Sequence, residues 1–240
     1  MRWLGWTVVL LLLPVSLSYA QEPGPRSGAV IWFKGLAVQT FAIQESRSGL
    51  LRGGDEIPDP LDRRIEVEKS ILQLAYSFLP DQQLFLSIPY LDKSQEWRDP
   101  QTGERRREGS SGLGDILLLY KYRFFRKDPR PGVTTQFSFA LGPELPLGRD
   151  DVRNGNGELL PPSLQPGRGT VNWLTALAAV YPRGRHEMGS SLLYKVNTEG
   201  AQQVEEGDWL ELHTGYHYRF WQQKFPGGNA AAGPGLTWHK

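Results

Sequence analysis

Apolar and polar residues alternate with a period of two along most of this chain, and no other feature restricts its fold so tightly. Leu72, Leu74, Tyr76 and Phe78 fall on one face of an extended segment, with Gln73, Ala75 and Ser77 on the other. Beyond the tight connection Leu79-Pro80-Asp81-Gln82, the stripe repeats in Leu84, Leu86, Ile88 and Tyr90. Ile116, Leu118, Tyr120, Tyr122 and Phe124 form a third stripe, opposite Asp115, Lys121 and Arg123. Phe137, Phe139 and Leu141 form a fourth, opposite Gln136, Ser138 and Ala140. Near the end, Leu210, Leu212, Tyr216, Tyr218 and Phe220 oppose Glu211, His213, His217 and Arg219. Weaker alternation covers 29–45, 169–181 and 186–196. The total is about eight strands, most of them about 10–14 residues long. Strands in globular proteins usually have about five or six residues, whereas a tilted strand crossing a bilayer needs about 9–11. Length favours a membrane barrel over a soluble sandwich.

The connections give a second, independent test. In order they run 46–63, 80–82, 93–113, 126–132, 147–168, 182–185 and 197–207, with long and short in strict alternation. Outer-membrane barrels have short turns on the periplasmic side and longer loops outside, so this order of lengths is expected of them. Segment 93–113 is rich in charge and 147–168 in Gly, Asp, Asn and Pro, as solvated external loops are. Phe78, Tyr90, Phe124, Tyr181 and Phe220 fall at strand ends, where interfacial girdles belong.

The first 20 residues address the compartment. Arg2 is the single charge ahead of the apolar run Val8–Leu13, and Ser18-Tyr19-Ala20 offers a small-x-small cleavage site. Segment 1–20 therefore reads as a secretory signal peptide cleaved near Ala20. A permanent N-terminal anchor fits less well, because the run is short and Pro14 interrupts it. Loss of Arg2 takes the 27 Lys+Arg to 26, level with the 26 Asp+Glu. That balance gives no support to nucleic-acid binding. Cysteine is absent, which excludes disulfides, Cys-based zinc sites, thiol nucleophiles and an acylated N-terminal Cys. A hydrophobic content of 39% suits a barrel with large loops, since only every second strand residue meets lipid.

Three motifs carry a family resemblance. They are S-G-L-G-D-I-L-L-L-Y-K-Y-R-F (Ser111–Phe124), the strand–turn–strand unit Ile71–Tyr90 ending in Pro-Tyr, and L-G-P-E-L-P-L-G (Leu141–Gly148). Together they make residues 64–148 resemble the MetA-pathway-of-phenol-degradation family of outer-membrane transporters of Gram-negative bacteria, with weaker agreement to about 221. The resemblance implies a barrel and passive uptake of small hydrophobic or aromatic compounds. It also implies more than eight strands. Where such barrels commonly finish on an aromatic-ended strand, this chain finishes on the Gly- and Ala-rich segment 226–240, which lacks alternation and reads as an unpatterned tail. The expected organisation is thus signal peptide 1–20, barrel 21–225 and tail 226–240, shortened or altered at the C-terminus relative to the family. Within the motifs, Gly112 and Gly114 permit a bend or bulge where a loop enters a strand. Pro143 and Pro146 cannot donate ladder bonds and suit a fraying rim. Asp115 either caps the loop or points into the lumen.

Parity places Lys34, Lys121, Arg123, Gln136, Glu144, Asn172, Lys195, Glu211, His213, His217 and Arg219 on the lumenal face. Two readings of that face stand: a polar permeation path, or a plug of mutually satisfied ion pairs. Eight strands leave an interior just filled by side chains, and a channel needs more. His213 and His217 are four apart, but on a strand that spacing separates them by roughly 13 Å, too far for one metal ion. No metal, cofactor or catalytic activity is expected: His213, His217, Ser191 and Glu211 show no recognisable triad spacing, and no G-x-S-x-G occurs. Arg105-Arg106-Arg107 reads as a solvated run, with lipopolysaccharide phosphates as its local partners. The sequence therefore predicts an all-β, antiparallel, up-and-down transmembrane β-barrel in the outer membrane, in contact with lipid and lipopolysaccharide and passing a small-molecule permeant. A non-conducting structural or adhesive barrel and a soluble lipocalin-like binder are the alternatives.

Overall fold

The computed structural model describes residues 24–48, 50–52, 55–57, 59–222 and 229–239. Segment 1–20, expected as a signal peptide, lies outside the described residues. The fold is all-β, with no α-helix among the described residues. Its strands are β1 (Leu36–Ser48), β2 (Leu50–Arg52), β3 (Asp55–Ile57), β4 (Arg64–Leu79), β5 (Gln82–Arg98), β6 (Arg105–Leu113) and β7 (Ile116–Arg130). There follow β8 (Val133–Leu145), β9 (Asn172–Arg183), β10 (His186–Val196), β11 (Trp209–Gln222), β12 (Asn229–Ala232) and β13 (Gly235–His239). Nine of them make one antiparallel path, β1-β4-β5-β7-β8-β9-β10-β11-β12, which curls into a half-barrel with β1 at one edge and β12 at the other. The small pair β2–β3 stands apart.

Two of the path's strands are interrupted rather than continuous. β5 holds two partners along one edge, β7 at Gln82–Ser87 and β6 at Tyr90–Arg98. β6 and β7 are thus one broken strand, and the break falls at Gly114-Asp115. The expected bend is therefore real, but it divides a strand instead of ending a loop. The 93–113 segment, expected as an external loop, is a projecting hairpin whose turn is closed by Asp99 Oδ1, which accepts from the Gln101 and Thr102 amides at 2.8 and 3.2 Å. Its charges alternate across a solvated ribbon, so they do not oppose pairing. At the other end, β12 and β13 both pair with β11, so the tail is not without structure. Gly and Ala have little intrinsic strand preference; the open edge of β11 supplies the hydrogen-bond partners that composition does not reveal.

At one rim the turns are two residues each: Pro80-Asp81, Pro131-Gly132 and Gly184-Arg185. Gly132 and Gly184 adopt positive φ (+76° and +61°), as tight hairpins require, and the Gly184 amide donates to the Gly132 carbonyl at 2.7 Å. The long connections gather at the opposite rim, so the alternation of lengths becomes a separation in space. Strand β7 runs on to Arg130, well into the 126–132 connection, because the turn needs only two residues.

One glycine within a strand is constrained by close approach. A Cβ on Gly142 would collide with the Leu118 carbonyl. Gly142→Val is expected to block the β7–β8 pairing and abolish the compact, heat-modifiable band on gels. Gly155→Ala, where a Cβ meets open space, should leave that band intact.

Candidate functional site on the concave face

The convex face of the half-barrel exposes apolar rows, and the concave face mixes buried polar residues with an apolar core. Across six strands, Tyr122, Phe139, Leu177, Leu192, Leu212 and Trp238 stand in direct register, and all six are apolar or aromatic. Leu177, Leu192 and Leu212 are 54%, 42% and 45% exposed on the convex side. One residue along, the concave row runs Lys121, Ala140, Ala176, Leu193 and Glu211, and every member is buried. Contiguous exposed apolar surface of this kind marks a site of contact with protein, ligand or membrane. Tyr90, Phe124, Tyr181 and Phe220 are exposed; Tyr181 and Phe220 lie near strand ends as expected, but Tyr90 and Phe124 fall in the middle of β5 and β7 because both strands run on past the sequence-based boundaries. Phe124 and Phe125 gather on Phe137 with ring centroids 6.3 and 5.5 Å apart.

Most of the residues assigned to the interior by parity lie there. Lys121, Arg123, Gln136, Asn172, Lys195 and Glu211 are all buried, and Glu144 is half-buried. Three depart. Lys34 precedes β1, has a positive φ of +57°, and is exposed with its ammonium over the Phe33 ring. His217 is exposed, and Arg219 is only half-buried, at the margin of the sheet where only the short strands β12 and β13 follow β11. His213 is half-buried and bonds through Nδ1 to Thr237 Oγ1 at 2.9 Å.

The buried charges meet their partners at several separate places. Lys195 Nζ lies 2.5 Å from Glu144 Oε2, and the Asn172 amide donates to the same oxygen at 2.8 Å. Near the short-turn rim, Arg123 donates to Gln136 Oε1 at 2.9 Å, to the Pro80 carbonyl at 2.8 Å and to Asp81 Oδ1. That fan ties β7, β8 and the β4–β5 turn together. Ser191 Oγ and Gln39 Oε1 also face inward, and no described group bonds to them.

An element that the alternation obscured occupies the middle of the concavity. The sequence suggested a strand from about residue 29, but β1 starts at Leu36, and residues 24–35 leave the sheet to lie against its concave face. Ala29, Val30 and Ile31 are 1–4% exposed, and Ile31 packs with Ala75, Phe85, Leu119 and Leu193. Arg26, Ser77 and Gln83, absent from the sequence-based set, hold this segment. The visible signal was Gly24, Gly28 and Gly35, which permit close approach but belong to no alternating stripe.

At the long-loop rim, Asp115 resolves its two sequence readings in favour of a cap. Oδ1 accepts from the Gly148 amide at 3.0 Å and Oδ2 from the Arg168 amide at 2.8 Å, bracketing the 147–168 loop. Pro146 is the first residue beyond β8, but Pro143 lies inside it, opposite Trp173. The Arg105–Arg107 run is neutralised locally, since Asp62, Glu96 and Asp99 each lie within 4 Å of one of its guanidinium groups.

Lys93, on the projecting hairpin, donates to the Gln165 carbonyl at 2.6 Å beneath that loop. Burial, with Arg168 and Lys69 nearby, pushes its pKa down to about 8. The folded value lies below the unfolded one, so the unfolded chain binds more protons between about pH 8 and 10.4, and this group's contribution to stability rises with pH through that window. Lys93 Cε is expected to titrate by NMR with a midpoint near 8. A midpoint near about 10, the value of an unperturbed lysine, would refute this environment.

No family model matches the chain, and no curated protein matches it either. The family resemblance therefore rests on the three motifs quoted above.

Proposed function

We propose that this protein is an outer-membrane β-barrel protein, exported by its signal peptide, that passes small molecules passively along its concave face. The observation that carries the reading is the set of leucine and aromatic rows exposed on the convex face, while the concave face combines the buried polar residues Lys121, Arg123, Gln136, Asn172 and Lys195 with an apolar core. A bilayer rewards that arrangement and water penalises it. Separation of long and short connections to opposite rims supports the same reading. The permeant class, small hydrophobic or aromatic compounds, comes from the resemblance alone, and no energy coupling is part of the proposal. External loops and the Arg105–Arg107 hairpin would meet lipopolysaccharide.

A second reading is favoured by one observation: residues 24–35 fill the concavity, as a non-conducting structural barrel would require. Planar-bilayer recording separates the two. Discrete open-channel currents, or an aromatic solute entering proteoliposomes faster than protein-free vesicles, are expected for a transporter. A folded, inserted protein that passes neither ions nor solute is the structural barrel. Release by osmotic shock without detergent would remove both and leave the soluble binder.

A further inference from the structure

The segment Gly24–Gly35 is outside the sheet, yet its main chain is met by sheet groups along its length. The Lys121 ammonium donates to the Gly24 carbonyl at 3.2 Å, and Ser138 Oγ donates to the Ser27 carbonyl at 3.4 Å. Gln83 Oε1 accepts from the Ile31 amide at 3.0 Å, and Ser77 Oγ donates to the Ile31 carbonyl at 3.0 Å. The Ser77 main chain then exchanges bonds with the Lys34 amide and the Gly35 carbonyl, at 2.8 and 3.1 Å. These donors and acceptors come from β4, β5, β7 and β8, and they read peptide groups rather than side chains.

Two positions add selectivity. Arg26 places Nε and Nη2 on the two oxygens of Glu211, at 2.6 and 2.8 Å, in the bidentate geometry that favours guanidinium over ammonium. Glu211 is only 2% exposed, so its charge needs a partner. At Gly28 the segment presses on β9, where a Cβ would stand 2.6 Å from the Ala179 carbonyl carbon and the Val180 nitrogen. Only glycine fits that close approach.

We infer that the concave face is a binding groove for a peptide of the form Arg-x-Gly followed by small and apolar residues, turned at its arginine, occupied here in cis by Gly24–Gly35. The groove stands on its own geometry; that its occupant obstructs passage rests on the transport reading above. With the cis segment unseated, the groove takes such a peptide in trans.

Full-length Gly28→Val is the main test, because the added side chain cannot seat and no sheet residue is altered. The probe is a fluorescent synthetic peptide with the sequence of residues 24–34, read by anisotropy in detergent. Trypsin should cut after Arg26 quickly in the variant and slowly in the wild type. The variant should bind the peptide about tenfold or more tightly than wild type does, and an Arg→Ala peptide should lose a similar factor. Glu211→Gln in the Gly28→Val background should erase the preference between the two peptides. Equal trypsin rates in wild type and variant, or a variant that ignores the peptide or fails to distinguish its arginine, would overturn the groove. Should Gly28→Val not fold, Arg26→Ala in the full chain provides the second reading: peptide binding must rise about tenfold over wild type, and no rise overturns the inference. Peptide binding reports the groove and bilayer current reports passage, so either can fail without the other.

Discussion

Replacing Leu177 with arginine is expected to destabilise the bilayer-inserted protein by about 2–4 kcal/mol. Leu177 is 54% exposed at the middle of β9, with Phe139 and Leu192 as its register neighbours on the same face. In a soluble protein an exposed Leu-to-Arg change shifts stability by no more than about 0.5 kcal/mol, because both side chains are already hydrated. In a bilayer the guanidinium must be dragged from water into hydrocarbon. Reversible unfolding of wild type and variant in lipid vesicles, followed by tryptophan fluorescence, measures the difference. A change below about 0.5 kcal/mol would remove β9's outer face from the membrane and undercut the proposed function.

The second large effect lies on the other side of the same sheet. Glu144→Ala is expected to cost about 3–5 kcal/mol, because it leaves the Lys195 ammonium buried without its carboxylate. Lys195 is 8% exposed, and Glu144 Oε2 is 2.5 Å from its nitrogen. Removing both charges together, in Glu144→Leu/Lys195→Met, should recover most of that loss, since a packed apolar pair has no unpaired ion to desolvate. The four-member cycle in the same unfolding assay gives the coupling directly. A single variant within about 1 kcal/mol of wild type would show that water reaches Lys195, and so that the concave face is wetter than its burial implies.

Interior assignment by parity worked where both neighbours of a strand were present. Lys121, Arg123, Gln136, Asn172 and Lys195 alternate with outward leucines and aromatics, and strands on either side fix their direction. It failed at the margins. His217 and Arg219 share parity with Glu211, but only the short strands β12 and β13 follow β11, so parity there no longer implies enclosure. Lys34 failed for another reason: its alternating neighbours belong to an irregular segment with positive φ, not to a strand.

Residues 93–113 and 226–240 misled in the same direction. Both looked unfit for strands by composition, yet each lies beside a strand edge with unsatisfied donors and acceptors. Pairing energy belongs to the two strands jointly, and a one-dimensional pattern records only one of them.

The sequence by itself determined the all-β class, the up-and-down order, the two unlike rims and which polar residues of the central strands turn to the inner face. Each of these follows from a local period of two and from connection length, which need no knowledge of distant contacts. Only the tertiary structure decided what fills that face and which charges meet. Arg26 finds Glu211 across 185 residues, and the Ile31 amide finds Gln83 across 52. Such partners are chosen by how the sheet curls and how closely a backbone such as that of Gly28 can approach it, and curvature is a property of all nine strands together.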